Sequence, residues 1–316
     1  MPGGHPLTGV AAIDCGTNSI RLLIAEGPEG GGLVDLERRT EIVRLGQGVD
    51  ATGEFHPDAL ARTFTAVEGY AELIRQAGVP VDRIHFVGTS ASRDARNRDA
   101  FFAGIRERLG VTPEVITGDR EAELSFTGAL SRIRPEGDPV LVMDIGGGST
   151  ELIVGSATGE MSFAISLDIG SVRITERFLK AGPPAAADLA AATAYVDDLL
   201  DSAAIDFADF RTWIGVAGTA TTLAGVYLEL AEYDRERVHG LLIPSRDVKA
   251  LLDRLSTMTV DQIRALPSMH PGRADVVTGG TLIASRVAAR TTSAAGMLVS
   301  ESDILDGIAL ELLAAH

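Results

Sequence analysis

The chain has 316 residues, 45% of them apolar and 23% charged, with a formal net charge of −16. That length sustains about two domains with cores of their own, and the acidic balance excludes a broad basic surface for non-specific nucleic-acid binding. No apolar run approaches the roughly 20 residues of a membrane span, the N-terminal Met-Pro-Gly-Gly-His has neither a basic flank nor a signal-type core, and the one cysteine, Cys15, excludes an internal disulfide framework, so the expected location is the cytoplasm.

Residues 10–14 and 20–26 read as a hairpin around the turn Asp14-Cys15-Gly16-Thr17-Asn18-Ser19-Ile20-Arg21, and 33–44 as a third strand. Gly46-Gln47-Gly48-Val49-Asp50 reads as a loop. Pro57 opens a long helix with Leu60, Phe64, Val67, Ala71 and Ile74 on one face, stopped by Gly78. Ile84-His85-Phe86-Val87-Gly88 is a short buried strand. It delivers Thr89, Ser90, Ser92, Arg93, Arg96 and Arg98 just past its end, where ligands of α/β folds gather. A solvated basic helix start is the other reading of that stretch. A helix over 98–109 ends at Gly110, and Glu114-Val115-Ile116 is the next strand. Thr117-Gly118-Asp119-Arg120-Glu121-Ala122-Glu123-Leu124 then begins a helix. Acids in a first helical turn ordinarily serve the cap and the dipole, so position alone assigns Glu121 no chemistry.

Residues 135–139 mark the passage between domains, giving 1–134 and 135–316, with the closing helix 302–316 able to pack back on the first. Val140-Leu141-Val142-Met143 feeds Asp144-Ile145-Gly146-Gly147-Gly148-Ser149-Thr150-Glu151, and Leu152-Ile153-Val154 leaves it. Consecutive glycines let backbone N–H groups approach an anion without Cβ obstruction, and phosphate is the natural guest. Asp144 and Glu151 are placed to hold a hard cation such as Mg²⁺, directly or through water. Taken alone, the stretch is equally an ordinary hairpin with solvated acids. The weight shifts because Asp14, Gly16 and Ser19 repeat the spacing of Asp144, Gly146 and Ser149. Two such halves suggest a duplicated clamp with its ligand in the cleft between them.

Further along, 161–167 reads as a strand, Gly170 as a helix start, 187–203 as a helix and 213–216 as a strand. Ala217-Gly218-Thr219-Ala220-Thr221-Thr222 follows as a third candidate anion site, with close helix–strand packing the equal alternative. Residues 230–270 read as mostly helical with two polar loops, 273–290 as a helix, 297–299 as a strand and 302–314 as the closing helix. Cys15 and Arg21 match the spacing of cysteine-dependent phosphatases, but a strand follows instead of a helix and Asp14 opposes a thiolate. No Walker-type loop, His-Glu-x-x-His or Cys/His metal spacing occurs.

With these motifs placed, the sequence resembles the exopolyphosphatase and guanosine-pentaphosphate phosphohydrolase family over nearly its whole length. The resemblance implies an α/β fold of two ribonuclease-H-like (actin-like ATPase) domains with a cleft between them. It implies that Glu121, in Gly118-x-x-Glu121-Ala122, is the catalytic glutamate that positions or deprotonates water. By the same resemblance Asp144 and Glu151, with Asp14 of the twin turn, are the metal residues. Asn18, Ser19, Arg21, Arg93, Gly146, Gly147, Gly148, Ser149, Gly218 and Thr219 are the phosphate-binding residues. Arg21, Arg93, Arg96, Arg120, Arg173 and Arg273 are expected to supply the local positive charge that the acidic whole requires.

The implied activity is hydrolysis of terminal phosphoanhydride bonds of inorganic polyphosphate, short chains above all, with Mg²⁺ or another divalent cation as cofactor. A guanosine pentaphosphate or nucleotide phosphohydrolase and a non-hydrolysing sensor are the alternatives. No nucleic acid or membrane is expected as a partner, and the amphipathic C-terminal helix is compatible with a homodimer. Arg120 stands where many members carry a second acid, which opens either an altered pKa at Glu121 or an added phosphate contact. The chain reads as the short form of the family, which bears against processive action on long polymers.

Overall fold

The computed structural model describes residues 9–28 and 31–315. The N-terminal segment used above to judge a signal sequence lies outside them. The chain divides into two compact units, Met1–Ser131 with Ile304–His316, and Arg132–Asp303.

The first unit is built on a sheet of order β3-β2-β1-β4-β5. Its strands are β1 (Val10–Cys15), β2 (Ser19–Glu26), β3 (Val34–Ile42), β4 (Ile84–Gly88) and β5 (Glu114–Val115). The β1–β2 and β2–β3 pairs are antiparallel, whereas β4 runs parallel to β1 and β5 to β4. Where the sequence reads as a loop, the short helix α1 (Val49–Thr52) forms between left-handed Gly48 and Gly53. Helix α2 (Pro57–Gln76) begins with Pro57 at its first turn and His56 Nδ1 accepting from the Asp58 N–H. The one-turn helix α3 (Ser90–Asp94) follows β4, α4 (Arg98–Leu109) ends at left-handed Gly110, and α5 (Gly118–Leu130) is capped by the Thr117 hydroxyl, which accepts from the Arg120 N–H at 3.2 Å.

Alternation along β1 divides the core. Ala11, Ile13 and Cys15 join Phe86, Val67 and Phe101 on one face, while Val10 and Ala12 join Val87, Ile116 and Leu124 on the other.

The second unit repeats that plan. Its strands are β6 (Val140–Ile145), β7 (Thr150–Gly155), β8 (Met161–Leu167), β9 (Thr212–Val216), β10 (Leu242–Pro244) and β11 (Gly296–Val299), in the order β10-β11-β9-β6-β7-β8. Stripped of β10, this is the order and direction of the first sheet: an antiparallel meander extended by two parallel strands. Each unit therefore has the ribonuclease-H-like topology. The helices are α6 (Ser171–Arg177), α7 (Ala186–Ser202), α8 (Ala217–Tyr227), α9 (Arg235–Val238), α10 (Ser245–Leu255), α11 (Val260–Arg264) and α12 (Val277–Ala288). β10 lies inside the stretch that reads as helical, and α12 starts at Val277, after a 3₁₀ turn over Pro271–Arg273.

The closing helix α13 (Ile304–Ala314) belongs to the first unit. Ile304, Leu305, Ile308 and Ala309 complete the Val10–Leu124 face of its core, and Gly307 lies against the Leu124 backbone. Ion pairs fasten it, among them Arg38 to buried Asp306 at 2.9 Å and Arg120 to Glu311.

Candidate active site

The two glycine turns close alike. Gly16 N–H donates to the Ser19 carbonyl at 2.9 Å, and Gly146 N–H donates to the Ser149 carbonyl at 3.0 Å. Each turn is then braced from one side by a segment remote in sequence. In the first, Gly46 N–H donates to the Thr17 carbonyl and Arg44 N–H to the Asn18 carbonyl, both at 2.8 Å. In the second, the start of α6 does this work. Ser171 N–H donates to the Gly146 carbonyl at 2.9 Å, Val172 and Arg173 N–H to the Gly147 carbonyl at 2.9 and 3.1 Å, and Arg173 Nε to the Gly148 carbonyl at 2.7 Å. The orphan donors of the helix terminus are thereby satisfied by the turn.

A trans peptide sets one residue's carbonyl opposite the next residue's N–H. Pinning these carbonyls therefore turns the N–H groups of Asn18 and Ser19, and those of Gly147, Gly148 and Ser149, away from the bracing segment. Among the described residues, none of these N–H groups of the second turn donates to a backbone carbonyl. Successive N–H groups turned to one side form an anion cradle.

Both braces need a glycine at the crossing. A Cβ on Gly46 would lie 2.2 Å from Thr17 Cγ2, and one on Gly170 would lie 2.4 Å from the Gly147 carbonyl carbon. Neither glycine carries a motif by which sequence reading finds it. The first turn holds a further mark of a ligand. The Thr17 hydroxyl and both polar side-chain atoms of Asn18 are buried with no hydrogen-bond partner among the described residues. Each such group costs about 1–3 kcal/mol unless something else satisfies it.

The charged positions of the turns differ. Asp144 stands opposite Glu151 in the β6–β7 register, whereas Asp14 stands opposite Arg21 in the β1–β2 register. Two carboxylates facing each other across adjacent strands repel and call for a cation. Glu151 is 1% exposed, and its Oε1 accepts from the Ser166 hydroxyl at 2.7 Å. No group of three or more potential metal ligands gathers among the described residues. A pair of carboxylates with the remaining positions left to water and phosphate is nonetheless how Mg²⁺ is ordinarily held, so Asp144 and Glu151 fit it. In the first turn, Asp14 Oδ2 instead accepts from Arg21 Nη2 at 2.6 Å and Nε at 3.1 Å. That ion pair commits Asp14 to a guanidinium where a metal role is expected of it. It also commits Arg21 to a carboxylate where a phosphate is expected.

Glu121 sits in the first turn of α5, 8% exposed, and its Oε2 accepts from Arg93 Nη1 at 2.7 Å. The same nitrogen donates to the Ile116 carbonyl at 3.0 Å, so the end of β5 fixes Arg93 and Arg93 fixes Glu121. Arg120, the neighbour expected to perturb Glu121 or touch phosphate, is held by Glu123 at 2.9 Å and by Glu311 of α13. Arg96 serves the α1 loop through the Thr52 carbonyl and Glu54. Arg21, Arg93, Arg96 and Arg120 belong to the first unit, and Arg173 and Arg273 to the second.

The third glycine motif packs closely against its neighbours. A Cβ on Gly218 would lie 1.8 Å from Arg273 Nη1, so the glycine is where the guanidinium rests. The Thr219 hydroxyl donates to the Ile145 carbonyl at 3.1 Å, tying α8 to the strand that enters the second turn. Ala217, the first residue of α8 after β9, takes a left-handed φ of 60°, a strained conformation of the kind that clusters at functional sites.

Cys15 lies in the apolar core of the first unit, and burial, then the charge of Asp14, push its thiol pKa well up. A thiolate nucleophile is therefore disfavoured.

Duplicated ribonuclease-H-like units, each carrying a glycine turn braced to present N–H groups, define a class of protein built to handle anionic, phosphate-like groups. The chain belongs to the Ppx/GppA phosphatase family, whose profile matches residues 23–316. It is 47% identical over 319 aligned positions to exopolyphosphatase 2 of Mycobacterium tuberculosis, covering 97% of this chain and 99% of that protein. Its fold matches the crystal structure of an exopolyphosphatase-like protein with a TM-score of 0.91 at 42% identity, over 96% of this chain and 97% of the other. It also matches an Aquifex aeolicus member of the Ppx/GppA family with a TM-score of 0.81 at 29% identity, over 98% and 99% of the two chains.

Proposed function

We propose that the chain is an exopolyphosphatase: it hydrolyses the terminal phosphoanhydride bond of inorganic polyphosphate and releases orthophosphate. The observation that carries this reading is the second turn, with its N–H groups turned to one side and an acid pair at its base. The name of the M. tuberculosis relative supports the same reading.

Phosphoryl transfer passes through a loose in-line transition state, so positioning and charge neutralisation do most of the work. Gly147, Gly148 and Ser149 bind phosphoryl oxygens of the substrate through backbone N–H groups, and in the first unit the turn at Asn18 and Ser19 offers N–H groups of the same kind, with an Asn18 side chain that a ligand would satisfy. Glu121, oriented by Arg93, holds the attacking water and takes its proton. Asp144 and Glu151 would hold a Mg²⁺ ion, whose chemistry there would be to supply positive charge against the charge of the phosphoryl oxygens.

The test is phosphate release from short polyphosphate, long polyphosphate and guanosine pentaphosphate, each with Mg²⁺ and with EDTA. Release is expected to be fastest from short polyphosphate and to be lost in EDTA. Glu121→Gln should lower turnover by roughly 10²-fold, the scale of a lost general base, with substrate affinity retained. Faster release from guanosine pentaphosphate would move the substrate to a nucleotide, and no release from any of the three would sink hydrolysis altogether.

A further inference from the structure

We propose that Arg173 is a positioning residue for the second glycine turn, fixing through its side chain the peptide that points the Ser149 N–H at the substrate. The proposal rests on the reading of this turn as a phosphate cradle.

The twin turns perform one task with different parts. In the first, the carbonyl preceding the Ser19 N–H belongs to Asn18 and is pinned by a backbone donor, the Arg44 N–H at 2.8 Å. In the second, the carbonyl preceding the Ser149 N–H belongs to Gly148 and is pinned by a side-chain donor, Arg173 Nε at 2.7 Å. The residues that bear these carbonyls differ in the same sense. Asn18 has a Cβ that restricts its dihedrals, whereas Gly148 has none and rotates readily into either sign of φ. Where the backbone is most permissive, the clamp is a guanidinium.

Arg173 is well placed for this work. Its own N–H grips the preceding carbonyl, that of Gly147, at 3.1 Å, so one residue holds consecutive peptides of the turn. It is 9% exposed, and its Nη2 lies 3.8 Å from Asp168. If the Nε bond is lost, the Gly148–Ser149 peptide is released to rotate and one of the N–H groups leaves the cradle. Losing one preorganised donor of this kind lowers activity by about 10²–10³-fold in enzymes that use them.

The experiment uses the full chain as wild type, Arg173→Ala and Arg173→Lys. Lysine keeps the charge but places a methylene where Nε stood. Tripolyphosphate binding is measured by calorimetry, phosphate release by steady-state kinetics, and folding by thermal unfolding, each with and without ethylguanidinium. Both variants should fold, bind tripolyphosphate at least tenfold more weakly and lose on the order of 10²-fold in kcat/KM. Ethylguanidinium should restore Arg173→Ala at least tenfold and leave Arg173→Lys, whose stem fills the space, unrestored. Wild-type affinity in Arg173→Lys would show that charge alone matters and overturn the proposal. So would a loss in Arg173→Ala that ethylguanidinium cannot restore, or no loss. A wild-type chain that binds tripolyphosphate without releasing phosphate overturns the hydrolysis reading, while the binding measurements still decide the role of Arg173.

Discussion

Replacing Gly170 by alanine tests whether the second turn is held from behind by α6. Gly170 has φ −152° and ψ 166°, an extended conformation that alanine adopts freely, so backbone preference contributes nothing. Contact decides the outcome. The new Cβ would stand 2.4 Å from the carbonyl carbon and oxygen of Gly147 and 2.6 Å from Gly148 N, all backbone atoms that cannot swing aside. Restoring van der Waals separation requires the start of α6 to retreat by about 1 Å. The bonds from Ser171, Val172 and Arg173 N–H, now 2.9, 2.9 and 3.1 Å, would then stretch beyond hydrogen-bonding range. At about 0.5–1.5 kcal/mol net for each, the loss of stability is about 2–4 kcal/mol. A turn displaced by about 1 Å should also lose on the order of 10²-fold in kcat/KM. Urea unfolding gives the first quantity and phosphate release the second. Gly69→Ala is the control: it lies within α2 with nothing inside 4 Å of the added Cβ, and should gain about 1 kcal/mol from helix propensity. If Gly170→Ala stays within about 0.5 kcal/mol of wild type and keeps its kcat/KM, the brace is not what orders the turn.

Other expectations follow from buried charge. Cys15→Ala should keep phosphate release, because the thiol is a core group. It should also flatten the alkaline stability profile. The folded-state pKa of this thiol is raised by burial and then by Asp14, so the unfolded chain releases the proton first as pH rises above the ordinary value of 9.0. Wild-type stability is then lost with increasing pH by about 1.4 kcal/mol per unit until the folded thiol also ionises; urea titrations at pH 8 and 10 that show equal losses in both proteins would refute this. Arg38→Leu leaves the Asp306 carboxylate inside the first unit without the guanidinium 2.9 Å away. It should cost about 3 kcal/mol of unfolding free energy, and a cost below about 0.5 kcal/mol would mark the pair as dispensable.

The elements were largely legible because each depends on neighbours in sequence. The proline that opens α2 and the glycine that ends α4 are local signals, and the structure has both. The twin turns were legible for the same reason, since Asp14, Gly16 and Ser19 repeat the spacing of Asp144, Gly146 and Ser149. What escaped is long-range. β10 has three residues and ends at Pro244, too short to show a period. The braces act mostly through backbone N–H groups, which any residue but proline possesses, so the role of Arg44 left no mark in residue type, and the need for glycine at 46 and 170 shows only once the segment that crosses each is known. Gly218 does carry a motif, but its reason is the guanidinium of Arg273, more than fifty positions away.

The ion pairs of the arginines bear on how a chain of net charge −16 holds a phosphate. Arg21 is committed to Asp14, Arg93 to Glu121 and Arg120 to Glu123 and Glu311. Each of these cations thereby offsets a carboxylate of its own unit and adds little net attraction for a distant anion. The peptide dipoles of the turns carry no net charge and act only on a ligand in contact with them. Such donors discriminate by direction, because their energy depends on where each N–H points. That is why the carbonyls behind the cradle are so fully pinned. The second turn, with Asp144 opposite Glu151, makes the same demand more sharply. An anion held beside two carboxylates would need a cation to offset their charge and backbone donors already oriented, so the brace from α6 and the acid pair serve the same turn.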